Sequence, residues 1–414
     1  MEQFEKAVSL NEITKGAWEC LRGVRNKDGP MEFCFTALGS GKALRDQLLA
    51  GRYHERKGNR VIITRPKPRV ATAPWFRDRV WQRSMCNNGV YEDLVGGSPW
   101  ESMACQKDKG TDIAIRATIH ILQELHLKAP GKPVWGRHLD VRKFFPSTPQ
   151  HLIKRLDRER IREPRFLPYL EEIIDHHADE RTPEEIAADP HGKRGTGLGS
   201  QINQLHQVAL LDEIDREILP MVHGYLRFND DFLLLDHDPA KVDAAAERIR
   251  ERLAEMGLEM TDKAGRFRAD RGFSFLRKRF LLKPSGKIVL RLHREALAEE
   301  RHILKSLKKK LDAGERTYSQ IKAHYQSWAA NASYAGMGPI RAMDKAYKEI
   351  FGRAPEYKLK RRHLYGDYRQ GKAAHPGAGA GEPQAQGRAG AEPGGSGLRR
   401  GDGGRGSAES GGRR

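Results

Sequence analysis

The stretch HGYLRFNDDFLLLDHD, residues 223–238, sets two adjacent acids, Asp230 and Asp231, between runs that favour burial. Phe228 stands on one side of them and Phe232, Leu233, Leu234 and Leu235 on the other. Neighbouring carboxylates repel each other and resist desolvation, so a doubly charged break in an apolar strand pair is costly unless something compensates the charge. Asn and Asp suit tight turns, and the stretch is predicted to form two strands joined at Asn229–Asp230. Taken alone, Asn-Asp-Asp reads as an ordinary solvated hairpin. The remainder of the chain decides whether it is more than that.

Among the 414 residues, 74 Lys and Arg outweigh 55 Asp and Glu, which gives a formal net charge of +19 and a pI near 9.8. The length allows two or three domains, or one large core with appendages. The basic excess favours a polyanionic partner, because each phosphate neutralised by Lys or Arg releases counterions. A solubilising surface, or a patch for acidic lipid, is the alternative. Cys20, Cys34, Cys86 and Cys105 show no C-x-x-C spacing and read as buried thiols in a reducing compartment. The N-terminal segment carries acids where a signal peptide has a basic start and an apolar run, and no run reaches bilayer length. The expected location is therefore cytoplasmic, with no membrane partner.

Working outward, residues from about Leu10 to Gly58 read as helical and basic. Val61-Ile62-Ile63 and Val70 predict short strands ahead of a helix from about Arg77 to Met85. A helix is predicted over Thr111–Leu127. The segment VWGRHLDV, 134–141, reads as a strand ending near Asp140, which RKFFPSTPQHLIKRL breaks to open a helix. Thr182 reads as an N-cap, with Pro183 in the first turn and Glu185 three residues on. The Gly-rich HGKRGTGLGS, 191–200, leads into a long helix over QINQLHQVALLDEIDREI, and a further amphipathic helix follows the hairpin. GFSFLRKRFLLKPSGKIVLRLH, 272–293, is strand-rich with a turn at Pro284–Gly286, and basic helices fill about His293 to Phe351. From about Gly371 the composition turns to Gly, Pro, Ala and Arg, too poor in large apolar residues to offset its ordering entropy, and disorder is expected there.

Three segments then combine: Asp140 at a strand end, the Gly-rich loop opening a helix, and the acids of the hairpin. Acids at a strand end and at a neighbouring hairpin can converge on one sheet and offer oxygen ligands to hard cations such as Mg²⁺. Two such ions about 3.5–4 Å apart stabilise both oxygens of an in-line phosphoryl transfer. Their charge would compensate Asp230 and Asp231.

In order and spacing these segments resemble a reverse transcriptase of the bacterial type, over roughly Arg65 to Phe351. DVRKFFPS, Asp140 to Ser147, is similar to the first palm motif; Gly195 to Gln204 to the Gly-rich second motif; and FNDD, Phe228 to Asp231, to the aromatic-x-Asp-Asp motif. KPRVATAPWFRDRVWQ and ACQKDKGTDIAI resemble finger segments, and GLEMTDK resembles the motif with a lysine near the triphosphate. The resemblance implies an α+β right-hand polymerase fold. Its parts would be an N-terminal helical basic region (1–60), fingers (61–130), a palm of antiparallel sheet plus helices (131–275), primer grip and helical thumb (276–352), and a basic linker with a Gly/Arg-rich tail (353–414).

The same resemblance implies an RNA-directed DNA polymerase, a nucleotidyltransferase whose partners are an RNA template, a DNA or RNA primer and dNTPs. Two Mg²⁺ ions, with Mn²⁺ as a substitute, would be held by Asp140 and Asp230, with Asp231 beside them and the Val141 carbonyl as a further ligand. Lys67 and Arg69 would clamp the triphosphate. Phe145 would lie under the sugar and exclude a 2′-hydroxyl. Lys263 would assist the leaving pyrophosphate, or is a solvated helix-end lysine. Leu198 stands where many reverse transcriptases carry Gln; with Gly199 and the terminal Gln204 it resembles the diversity-generating retroelement branch, which copies template adenines unfaithfully and for which a small accessory protein is an open partner.

Departures from the family pattern are Phe228 in place of Tyr, Asn203 in place of Ser, and FLRK at 275–278, which lacks the Gly of the primer grip. Nothing in the chain reads as an RNase H domain or a homing nuclease. An antiphage defence or other retron-like reverse transcriptase and a non-catalytic RNA-binding palm-fold cofactor are the competing expectations, and Phe145 argues against an RNA-dependent RNA polymerase.

Overall fold

The hairpin that carries the two acids is the centre of the main sheet. In a computed structural model, which describes residues 2–22, 28–63, 69–177, 179–293 and 295–359, ten strands form three antiparallel sheets among the described residues. The strands are β1 Asn59–Ile63, β2 Arg69–Ala73, β3 Trp135–Val141, β4 Gly224–Phe228, β5 Asp231–Asp236, β6 Met260–Asp262, β7 Phe267–Arg268, β8 Phe273–Phe275, β9 Lys278–Leu282 and β10 Ile288–Leu292. The main sheet runs β4-β5-β3-β6, with β7 also beside β3; β1-β2 and β10-β9-β8 form the smaller two. Lys67 and the Gly/Arg-rich tail lie outside the described residues.

Alternation along the central strands sends successive side chains to opposite faces. Leu139, Val141, Tyr225, Phe232 and Leu234 are buried in one cluster with Ile214 and Ile218 of the helix Asp212–Ile218 and with Val242, Ala246, Ile249 and Leu253 of the helix Pro239–Glu255. Leu226, Leu233 and Leu235 are buried on the other side with Ile115, Leu122 and Leu125 of the helix Thr111–Lys128 and with Phe273, Phe275 and Phe280 of the β8–β9–β10 sheet. Both faces are thus covered, which explains the unbroken apolar run 232–235. By the same alternation Asp140 and His138 share the second face with Asp231.

Among the described residues the predicted elements form, with some differences. The N-terminal helical region stops at Leu49, and residues 52–58 form no regular element, with buried Tyr53 donating its hydroxyl to Asp78 at 2.9 Å and packing edge-on against Trp81. The predicted long helix breaks at Leu211 (φ −98°, ψ 3°) into Gln201–Leu210 and Asp212–Ile218, and beyond the break Asp212 pairs with half-buried Arg160 and Asp215 with buried Arg227. Cys20, Cys34 and Cys86 are buried free thiols, whereas Cys105 is exposed on a turn where its own φ is 56°. In FLRK, Leu276 and Arg277 both adopt left-handed backbone (φ 50° and 60°), the conformation for which Gly is cheapest, at about 1–2 kcal/mol each. No described helix is long and apolar enough to cross a membrane.

Candidate active site

Strand pairing alone brings the distant acids together. Asp140 faces Asp231 across the β3–β5 register, and Phe228 faces Asp231 across β4–β5. That leaves Asn229 and Asp230 as the two-residue turn, with Asn229 in left-handed backbone (φ 62°), which Asn tolerates better than most residues. The Val141 amide donates to the Asp230 carbonyl at 3.1 Å and so ties the turn to the end of β3. A carboxylate oxygen from each of Asp140, Asp230 and Asp231 lies within 4.8 Å of the others.

Burial and mutual repulsion set the charge of this cluster. Desolvation first, then the charges of Asp140 and Asp231, push the Asp230 carboxyl up to about 6. Burial likewise raises Asp140 against the pull of Lys263. Burial would raise Asp231 too, but bonds from His138 and Lys263 outweigh it and hold that carboxyl below the ordinary range. The Lys263 ammonium lies 3.0 Å from Asp140 Oδ1 and bonds Asp231 Oδ1. Rather than closing a helix, Lys263 follows β6, its amide donating to the His138 carbonyl at 3.0 Å. An all-oxygen donor set of this spacing suits a hard divalent cation, and cationic charge would remove the cost that raises Asp230.

A second group of the sequence-predicted residues gathers at the Gly-rich loop. Arg69 opens β2 and is exposed; three residues on, the Thr72 amide donates to the Leu198 carbonyl at 2.7 Å. Gly199 has φ 131°, and a Cβ there would sit 2.5 Å from the Thr72 carbonyl oxygen, so only glycine allows the β1–β2 hairpin this close. Phe144 is core, as expected, while Phe145 is half-buried with its carbonyl accepting from the Thr196 amide at 3.0 Å. Gln204, half-buried, instead accepts a weak bond from Cys105 at 3.8 Å.

Behind this loop lies a small cavity whose lining includes Glu55, Thr72, Ile173, His177, Ser200 and Asn203. Burial pushes the Glu55 carboxyl up to about 8, against the hydrogen bonds donated by Gln82 and with some help from Asp78 and Glu172. An acid raised from about 4.3 in the unfolded chain adds stability that is complete below that value and lost as the pH climbs through about 8. Glu55→Gln, which does not titrate, is therefore expected to melt above the native chain at about pH 8. The gap should close towards about pH 5 in melts followed by circular dichroism, and a gap independent of pH would count against a neutral buried acid.

Two residues that sequence reasoning passed over complete the site. His138, buried, places Nε2 3.0 Å from Asp231 Oδ1; its position two residues before Asp140 on a strand was the available signal. Arg227, fully buried one residue before Phe228, pairs with Asp215 through Nε and a terminal nitrogen, both at 2.6 Å, and donates to the Asn229 carbonyl at 3.1 Å. An arginine inside an apolar strand, with acids at the i, i+3 spacing of Asp212 and Asp215 in the preceding helix, was the signal there.

No protein-family model matches the chain, and no curated protein matches it. Among solved structures it is similar to the apo telomerase of Candida tropicalis truncated of its C-terminal domain, at 11% identity over 56% of this chain and 54% of that one, with a TM-score of 0.38. It is also similar to the Candida albicans telomerase in complex with a fragment of telomeric RNA (11% identity, 77% and 59% covered, TM-score 0.42). A third likeness is to a loop-deletion mutant of the RNA-dependent RNA polymerase of a human picobirnavirus (15% identity, 69% and 55% covered, TM-score 0.40). The chain thus spans between 54% and 59% of the length of these structures. Likenesses this distant and partial leave the geometry of the site as the basis of a functional reading.

Proposed function

We propose that the chain is a template-dependent nucleic-acid polymerase, and specifically an RNA-directed DNA polymerase. The observation that carries this reading is the meeting of Asp140, Asp230 and Asp231, from segments far apart in the sequence, within 4.8 Å at one end of the sheet. Divalent cations of the Mg²⁺ type, bound there, supply the charge that activates a primer 3′-hydroxyl and steadies the departing pyrophosphate. Asp140 and Asp230 hold them, with Asp231 and the Val141 carbonyl beside them. Arg69, on the hairpin that touches the Gly-rich loop, meets the triphosphate as a phosphate-clamping cation. Leu198 and Gly199 border the new base pair, and Lys263, freed from the carboxylates, stands within a side chain's reach of the leaving group.

Phe145 supports the choice of deoxynucleotides: its neighbour Phe144 fills the core, while Phe145 itself is half-exposed and held through its carbonyl. Primer extension on an RNA template with Mg²⁺ is expected to proceed with dNTPs and poorly with NTPs. Phe145→Ala should raise NTP use relative to dNTP use by about 10–10²-fold. Equal use of both nucleotides by the native chain would replace this reading with an RNA polymerase. A retroelement role with error-prone copying follows Leu198 and Gln204, and misincorporation at template adenines in the same assay separates it from a faithful defence enzyme.

A further inference from the structure

His138 has a role that neither the acids nor the lysine can fill. Its ring is buried, with only 10% of the side chain exposed, and stands edge-on to Phe275 at a centroid distance of 5.4 Å, which fixes the ring plane. The register pairs His138 with Leu233 and Asp140 with Asp231, so the bond to Asp231 runs diagonally along the shared face of β3 and β5. An ionised carboxylate only accepts, so Nε2 carries the hydrogen. His138 and Lys263 both bond Asp231 through Oδ1. Lys263 is a flexible chain with 36% of its side chain exposed, free to leave when a cation arrives, whereas the packed imidazole stays.

We infer that His138 is a positioning residue: it holds Asp231 by Oδ1 so that Oδ2 is presented to a divalent cation shared with Asp140 and Asp230. The inference rests on the polymerase reading of these carboxylates. Partners of this kind fix the orientation of metal-binding groups, and their loss typically weakens metal affinity by about 10–100-fold.

The test is Mn²⁺ binding to the full chain, measured by electron paramagnetic resonance. His138→Phe keeps the aromatic packing and removes the donor, and is expected to weaken binding by about 10–100-fold. His138→Gln, whose amide donates, should restore it to within about threefold, a rescue that a purely structural role would not give. In primer extension the Mg²⁺ concentration for half-maximal rate should rise in His138→Phe far more than the rate at saturating Mg²⁺ falls. Should His138→Phe fail to fold by circular dichroism, His138→Met serves as the donor-free variant. Donor-free variants that bind Mn²⁺ as tightly as the native chain, while Asp231→Asn loses binding, overturn the inference and leave the polymerase reading intact. A native chain that binds no Mn²⁺ overturns both.

Discussion

Asp230→Asn is expected to cut Mg²⁺-dependent primer extension by at least about 10³-fold while raising the melting temperature of the chain in EDTA. The two halves have one cause. Asp230 is half-buried beside Asp140 and Asp231, and partial desolvation and their charges push its carboxyl up to about 6. Relative to an unfolded value near 3.9, the stability attached to this group is complete below that pH and lost as the pH passes through about 6. At neutral pH and without cations the ionised side chain therefore works against folding, and Asn at this position relieves the repulsion. Activity that depends on a destabilised site is the usual trade-off. Mg²⁺ should raise the melting temperature of the native chain and leave that of the variant nearly unmoved. Equal extension by the two chains, or a variant that melts lower in EDTA, would remove Asp230 from the site.

Arg227→Met is expected to cost about 3–5 kcal/mol of folding stability, the range for removing one partner of a buried ion pair. Arg227 has no exposed surface, and its guanidinium binds Asp215 twice, Asp212 at 3.4 Å and the Val208 carbonyl at 2.9 Å. Asp212 would keep Arg160 and Ser98, both at 2.8 Å. Among the described residues Asp215 would keep the Tyr225 hydroxyl alone and face burial with an uncompensated charge. Urea unfolding of Arg227→Met should show the loss, and adding Asp215→Asn should recover part of it, since the orphaned charge is the larger share of the cost. A loss under about 1 kcal/mol would mean that water reaches the network. The same guanidinium holds the carbonyl of Asn229, so residual activity should fall further than stability alone explains.

The sequence was most legible where periodicity and turn chemistry agreed. The strands around Asn229–Asp230, the strand ending in Asp140-Val141 and the Thr182–Glu185 capping box all form as read. The convergence of the acids followed because strand pairing converts a sequence position into a place on a sheet. Polar partnerships inside the core were harder to read. His138 and Arg227 are each explained by a partner at another chain position, and a single sequence does not display such pairings. Lys263 was half-legible: it was expected near the triphosphate or at a helix end, whereas it follows a strand and bonds the carboxylates, and β6 has only three residues and little pattern to read. The helix break at Leu211 escaped for a related reason, since the apolar period runs on while buried Arg227 pairs with both Asp212 and Asp215.

The β1–β2 hairpin and the loop at Leu198 meet main chain to main chain, through the Thr72 amide and the missing side chain of Gly199. Their separation is consequently a matter of peptide dimensions and indifferent to the identity of most residues along either wall. Substitutions can repaint the crevice between them without changing its width. Position 199 is denied that latitude, because a single added carbon there would act as a wedge against the Thr72 carbonyl.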